Sequence, residues 1–198
     1  MSLGNANLHP APATCMEIGK VAVLGAGQMG AGIAQVSACA GYEVVMIDIS
    51  EEFVERGMET ISSSLGKLVS KGRMSEKDSS SAMSRISSST DRTSASDADL
   101  VVEAIPEIPE LKFSTFSELD SICKKGAILA SNTSSISINE IASHTSRPDR
   151  VIGMHFMNPV PIMKLIEIIN GSETDPEVTA AVLEASERMG KTPLECND

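Results

Sequence analysis

The chain has 198 residues, of which 41% are apolar and 22% charged, so it is long enough for one globular domain with a substantial core. Acidic residues outnumber basic ones by 27 to 16, and a net charge of −11 argues against a nucleic-acid partner or docking on an anionic membrane. The four scattered cysteines exclude a disulfide scaffold and fit reduced thiols. We therefore expect a cytoplasmic protein, or one in a reducing organelle lumen such as the mitochondrial matrix or peroxisome.

The N-terminal segment lacks the features of a targeting signal. Residues 1–17 contain two prolines but no basic region and no apolar core. We predict a flexible tail over 1–17 and one domain over 18–198. The uncharged stretch 21–42 has the length of a membrane span, but its five glycines favour a strand, a turn and a helix.

The first predicted element is a buried strand over residues 20–24, followed by the pattern G-x-G-x-x-G and then by apolar residues at helical spacing. The pattern alone is weak evidence. Here it lies between a strand and a helix, and Asp48 ends the next predicted strand 23 residues after Gly25, as in a dinucleotide-binding unit. Gly25 permits the tight turn, Gly27 the approach of a pyrophosphate, and Gly30 close packing of the helix on the sheet.

Asp48 bears on the choice of cofactor. A carboxylate at the end of the second strand accepts a hydrogen bond from a ribose 2′-hydroxyl and repels a 2′-phosphate, which favours NAD over NADP. The alternative is that Asp48 only caps the following helix.

A helical region follows the second strand. Ser50 begins an amphipathic pattern that continues to Gly72, and we predict an inserted helical pair over about 50–84. Serine triplets occur within 62–96 and fit solvated helix faces and loops. A regulatory phosphorylation tract is the alternative.

The second half of the chain alternates short apolar runs with longer helical patterns. Strands are predicted at 100–105, 127–130, 150–155 and 163–169, and helices at about 110–123, from Ser137, and at 175–190. This alternation predicts an α/β fold with a doubly wound, Rossmann-type, mostly parallel sheet. The strand at 163–169 is expected to run antiparallel.

His155 and Glu167 lie on two neighbouring predicted strands. Glu167 is a carboxylate in an otherwise apolar stripe formed by Met163, Leu165 and Ile169, so it needs a partner. An imidazole whose Nδ1–H is held by a carboxylate presents Nε2 as a base. The two residues are opposite each other only when a wide loop, centred on Pro161, joins the strands. The alternative is a strand-end histidine bonded to a backbone carbonyl.

A polar turn, residues 131–135, follows the strand at 127–130. The carboxyl ends of parallel strands bind ligands in open α/β sheets, and Asn132 and Ser134 are suited to hydrogen-bond a nicotinamide ribose or a substrate oxygen. A simple polar turn before the Ser137 helix cap explains the same residues.

Four segments resemble one known family. The sequences at 23–34, 99–105, 129–135 and 153–167 are similar to those of the L-3-hydroxyacyl-CoA dehydrogenases, especially the short-chain 3-hydroxybutyryl-CoA group. The resemblance covers about 18–195. It implies NAD as cofactor, an acyl-CoA ester as substrate, and oxidation of the 3-hydroxyl to a ketone.

The resemblance also implies residue roles. His155 is the catalytic base, Glu167 its orienting partner, and Ser134 the ligand of the substrate 3-oxygen. Asn158 lines the same pocket, and Ser64 and Lys71 match positions that touch coenzyme A. The implied cofactor contacts are Gly25, Gly27, Gln28, Met29, Gly30, Asp48, Glu107, Lys112, Asn132 and Asn158.

The family continues, after the segment matching 192–196, into an all-helical domain that covers the substrate and forms a homodimer interface. We expect that domain to be absent here, so that NAD binding is retained while turnover is doubtful. A hydroxyacid dehydrogenase of the 6-phosphogluconate type is a weaker alternative, because it uses a lysine in place of the His155 and Glu167 pair. A non-catalytic dinucleotide-binding protein, similar to certain lens crystallins, is the alternative from another class.

Overall fold

The computed structural model describes residues 16–198, so most of the predicted tail lies outside the described residues. The described part contains eight strands and six α-helices. Strands β1 to β8 are Lys20–Leu24, Glu43–Ile47, Ile86–Ser89, Leu100–Glu103, Ile128–Ser131, Val151–Phe156, Leu165–Asn170 and Thr192–Asn197. Helices α1 to α6 are Gln28–Cys39, Glu51–Ser70, Glu76–Ser84, Pro109–Ile122, Ile138–Ser143 and Pro176–Arg188.

All eight strands form one sheet in the order β3-β2-β1-β4-β5-β6-β7-β8. The first six strands run parallel, β7 pairs antiparallel with β6, and β8 runs parallel to β7. The predicted doubly wound, mostly parallel sheet is therefore confirmed. The strand order reverses between β1 and β4, and open α/β sheets bind ligands beyond the carboxyl ends of the strands at such a switch point.

Helices cover both faces of the sheet, and each face has its own apolar core. Val21 and Val23 of β1 point to the face covered by α1, α2 and α6, whereas Ala22 and Leu24 point to the face covered by α4 and α5. Burial on both faces explains why the central strands read as continuous aliphatic runs. Within residues 16–198 no helix is both long and apolar enough to cross a membrane.

The strands differ from the sequence prediction at several points, among them β3 and the start of β7. Residues 86–89, within the serine-rich region, form β3, an edge strand in which Ile86 alone is buried. A single buried residue gives no periodicity, so the sequence did not predict this strand. The antiparallel strand begins at Leu165 rather than at 163, because residues 157–164 form the loop described below.

Candidate active site

The glycine-rich turn joins β1 to α1 at the switch point. Gly25 has φ +98°, and a Cβ there would lie 2.5 Å from the Ala104 carbonyl oxygen. A Cβ on Gly30 would lie 1.7 Å from the Gly25 carbonyl oxygen, so α1 packs directly on the turn. Gly27, the N-cap of α1, has nothing within 4 Å of such a Cβ. The first turn of α1 has no acidic residue and no side-chain cap, so its N–H groups can receive an anion.

Asp48 lies beside this turn. Its Oδ2 accepts a hydrogen bond from the Ala26 N–H at 2.6 Å, and its Oδ1 accepts one from the Ile49 N–H at 2.6 Å. The alternative role, a cap of the next helix, is wrong, because Ser50 accepts from the Phe53 N–H at the start of α2. Asp48 therefore joins the end of β2 to the glycine turn.

His155 and Glu167 are directly opposite each other in the β6–β7 ladder. The His155 Nδ1 lies 2.8 Å from Glu167 Oε2, and the two strands are joined by the wide loop, residues 157–164. The geometric condition for pairing is thus met. The partner of Nδ1 is the Glu167 carboxylate and not a backbone carbonyl group. In the neutral tautomer whose Nδ1–H donates to this carboxylate, Nε2 carries the lone pair of the ring.

The environment of Glu167 differs from the predicted apolar stripe. Ile166 and Ile168, on the other face of β7, are fully buried, whereas Leu165 is exposed and Glu167 and Ile169 are half-buried. Glu167 therefore lies on the open face of the strand. Its side chain is 34% exposed and that of His155 is 22% exposed, so both can meet a ligand from solvent.

The turn after β5 is tied to its neighbours on both sides. Asn132 Oδ1 accepts from the Phe156 N–H at 2.8 Å, next to His155. Glu107 Oε1 accepts from the Ser134 N–H at 3.0 Å and the Ser135 hydroxyl at 3.2 Å, and from the Thr133 hydroxyl. The turn is polar, as the simpler interpretation held. It also places Asn132 and Ser134 at the carboxyl ends of the parallel strands, where His155 lies near the end of β6.

Lys112, which the resemblance implies as a cofactor contact, is buried next to two carboxylates. Its side chain is only 1% exposed, and Nζ lies 2.6 Å from Glu103 Oε1 and 3.2 Å from Glu107 Oε2. Glu103, which is 0% exposed, also accepts from the Ser131 hydroxyl at 2.7 Å. The ammonium thus lies beneath the turn and is linked to its surface through Glu107. Sequence reasoning missed Glu103, although a lone carboxylate within an apolar strand is the signal that identified Glu167.

These contacts set the titration of Glu107. Burial raises the pKa of the Glu107 carboxyl, but the donors of the turn and the Lys112 ammonium outweigh burial, so the pKa lies below its usual value. A carboxyl whose folded-state pKa is lowered stabilises the protein above the unfolded-state pKa, and this stability is lost as the pH falls through the folded-state value.

We expect Glu107→Gln to lower the free energy of unfolding at pH 7 by about 1 kcal/mol, because several donors lose a charged but partly exposed acceptor. The difference from wild type should begin to shrink below about pH 4.3, where Glu107 in the unfolded chain takes up a proton, and should vanish as the pH falls through the lower folded-state pKa. Urea denaturation from pH 7 to pH 3.5 measures this, with the exposed Glu55→Gln as control. A difference that stays constant with pH would contradict the assignment.

A groove runs between α2 and the loop. It has a volume of about 550 Å³ and is lined by Arg56, Glu59, Thr60, Ser63, Ser64, Lys67 and Ile162. Of the two residues implied to touch coenzyme A, Ser64 lines this groove, whereas Lys71 caps the end of α2 and is not among the lining residues. The sequence missed Arg56 and Lys67, whose helical spacing with Ser63 and Ser64 was the available signal. Asn158 is exposed in the loop that carries Ile162. Within residues 16–198 no His, Cys, Asp and Glu group could hold a metal ion.

Comparison with known proteins gives a consistent set of relatives. The sequence model of the family described as "3-hydroxyacyl-CoA dehydrogenase, NAD binding domain" matches residues 20–198. The chain is 50% identical over 179 residues to a probable 3-hydroxybutyryl-CoA dehydrogenase of Deinococcus radiodurans, covering 90% of this chain and 64% of that protein. It is 49% identical over 183 residues to one of Bacillus subtilis, covering 92% and 64%.

Solved structures agree. The crystal structure of (S)-3-hydroxybutyryl-CoA dehydrogenase from Ralstonia eutropha superposes with a TM-score of 0.90 at 45% identity, covering 92% of this chain and 64% of that one. The chain thus spans 64% of the length of these relatives.

Proposed function

We propose that this chain, which belongs to the 3-hydroxyacyl-CoA dehydrogenase family and matches its NAD-binding domain, acts in the oxidation of short-chain L-3-hydroxyacyl-CoA to 3-ketoacyl-CoA by NAD⁺. The observation that carries the proposal is the contact of 2.8 Å between His155 Nδ1 and Glu167 Oε2. The pair lies at the same sheet edge as the ends of β1, β4 and β5, where the glycine turn and the 131–135 turn also lie.

The glycine turn fits a dinucleotide. Space for a Cβ is open at Gly27 alone among the three motif glycines, so the backbone there can approach a pyrophosphate. The N–H groups of α1 would hold the phosphates, and Asp48 the adenosine ribose. The partial positive charge at the N-terminus of α1 thereby explains how a protein of net charge −11 can bind an anionic cofactor.

The pair supplies the proton chemistry of an alcohol oxidation. His155 Nε2 takes the proton of the 3-hydroxyl, while the two electrons and the hydrogen at C3 leave as hydride. NAD⁺, when bound, accepts that hydride. Glu167 accepts a hydrogen bond from Nδ1–H and stabilises the imidazolium as it forms. The Ser134 hydroxyl and the Asn158 amide would bind the substrate oxygen, and the groove lined by Ser64 would receive the coenzyme A portion.

The assay follows NADH consumption with acetoacetyl-CoA, the reverse reaction. We expect NADH binding by the chain itself, and acetoacetyl-CoA-dependent oxidation when the chain is joined to the helical domain that the family carries. Binding of NADPH should be at least about tenfold weaker, because Asp48 repels a 2′-phosphate. NADH binding with no oxidation by the joined protein at any acetoacetyl-CoA concentration would refute catalysis by this chain and favour a non-catalytic dinucleotide-binding protein. Failure to bind NADH would refute both functions.

The cysteines bear on the compartment. Cys39, Cys123 and Cys196 are all free thiols. Burial raises the pKa of the Cys123 thiol, which disfavours its reactive thiolate. We propose a cytoplasmic location or a reducing organelle lumen, with an acyl-CoA ester as the partner molecule.

A further inference from the structure

A buried lysine outside the catalytic pair holds the loop that joins its two strands. Lys191, between α6 and β8, is only 8% exposed. Its Nζ donates to the Met163 carbonyl oxygen at 2.8 Å and also to the Val160 carbonyl oxygen. Both acceptors belong to the loop, residues 157–164, which leads from His155 to Glu167.

The position of this ammonium carries a cost. Burial, and next the charge of Lys164, lower the pKa of Lys191. No ion pair joins Lys191 to a carboxylate among the described salt bridges, so the two carbonyl groups provide its compensation. A methionine of similar length would fill the same space without that desolvation cost. The lysine therefore contributes its hydrogen-bond donors, which an apolar side chain cannot replace.

The local sequence directs Lys191 toward the loop. Gly190 follows α6 with φ +75°, and its N–H donates to the Glu187 carbonyl oxygen, while the Lys191 N–H donates to that of Ser186. These two bonds form a Schellman turn, which reverses the chain at the helix end. A second contact joins the same segments, since Lys164 Nζ donates to the Gly190 carbonyl oxygen at 3.2 Å.

The loop has a second anchor on the cofactor-binding helix. Val160 is 2% exposed, although the residues on both sides of it are exposed. A Cβ built on Gly32 of α1 would lie 2.7 Å from the Val160 Cβ, so the valine side chain packs on the helix surface where the glycine leaves room. The loop is thus fixed by one apolar side chain on α1 and by one ammonium on its backbone.

We propose that Lys191 is a positioning residue, whose ammonium keeps the loop seated on α1 and so fixes Asn158 and Ile162 relative to His155. This role rests on the proposed function, in which Asn158 and the groove beside Ile162 meet the substrate. The β6–β7 ladder pairs His155 with Glu167 independently of the loop. Loss of Lys191 should therefore disturb the loop and leave the pair intact.

The test compares Lys191→Met, which removes the donors, with Lys191→Arg, which keeps them, and with the exposed Lys125→Met, outside the loop, as control. Amide hydrogen exchange in the full chain reports on the loop, because the Ile162 and Met163 N–H groups both donate to the Pro159 carbonyl oxygen at 3.0 Å. We expect Lys191→Met to speed exchange at these two amides by at least about tenfold. The amides of Met154 and Ile168, in the β6–β7 ladder, should not change.

The kinetic readout separates positioning from general stability. We expect Lys191→Met to lower kcat for acetoacetyl-CoA-dependent NADH oxidation by about tenfold, with KM for NADH within about twofold of wild type. Lys191→Arg should restore most of kcat, and the His155 pKa measured by NMR should be the same in all variants.

Three results would overturn the proposal. They are unchanged exchange at Ile162 and Met163, faster exchange that extends to Met154 and Ile168, and faster loop exchange with an unaltered kcat. Absence of turnover in the wild-type chain joined to the helical domain would overturn the proposed function and with it the effect of Lys191 on turnover. The exchange data would then still decide whether Lys191 holds the loop, so the two failures are distinguishable.

Discussion

Replacing His155 with glutamine is expected to lower acetoacetyl-CoA-dependent NADH oxidation by about 10²- to 10⁴-fold, the usual contribution of a positioned acid or base. Glutamine has nearly the size of histidine and can still donate to Glu167, but its amide cannot take up a proton at neutral pH. The β6–β7 ladder, which is held by backbone hydrogen bonds, should remain in register. Because the glycine turn and Asp48 are untouched, the dissociation constant for NADH should stay within about twofold.

His144 provides the control. It is exposed at the end of α5, where its ring stacks on Phe113 at a centroid distance of 4.4 Å. His144→Gln removes the same functional group from another part of the chain and should leave the rate unchanged. Steady-state rates and NADH fluorescence titrations on the three proteins give both quantities. A His155→Gln variant that keeps full activity would refute the role of His155 as the base.

The elements around the glycine turn could be predicted because their signals are local. The aliphatic runs at 20–24 and 43–47 predict the two strands next to the turn. Within the turn, Gly25 and Gly30 leave no room for a side chain, so glycine is required there. The sequence could predict that His155 lies opposite Glu167 only on the condition that a wide loop joins their strands. That loop is held by Lys191 and Gly32, which are distant from it in sequence, so no local pattern reports its width.

Burial of charged residues was the other point that the sequence could not supply. No sequence pattern marks Lys191, and the resemblance marks Lys112 only as a cofactor contact. Each is buried because an acceptor from another element receives its ammonium. For Lys112 the partner is Glu103, and for Lys191 it is a pair of loop carbonyl groups. Hydropathy describes the side chain alone, whereas the burial of a charge depends on the acceptors that the fold brings to it.

Replacing Gly27 with alanine should weaken NADH binding by at least about 30-fold while leaving the thermal midpoint within about 2 °C of wild type. Gly27 has φ −69°, which alanine adopts without strain, and a Cβ there meets no protein atom within 4 Å. The fold therefore tolerates the methyl group. The loss arises because the methyl group occupies the space through which the backbone approaches the pyrophosphate.

Two other glycines make the comparison specific. Gly30→Ala should destabilise the fold itself, because its Cβ would lie 1.7 Å from the Gly25 carbonyl oxygen. Gly66→Ala, within α2 and with nothing within 4 Å of the Cβ, should raise stability by about 0.5–1 kcal/mol and leave NADH binding unchanged. Calorimetric NADH titration and thermal unfolding of the three variants separate loss of the ligand site from loss of the fold. Normal NADH affinity in Gly27→Ala would place the pyrophosphate elsewhere and contradict the assignment of the turn.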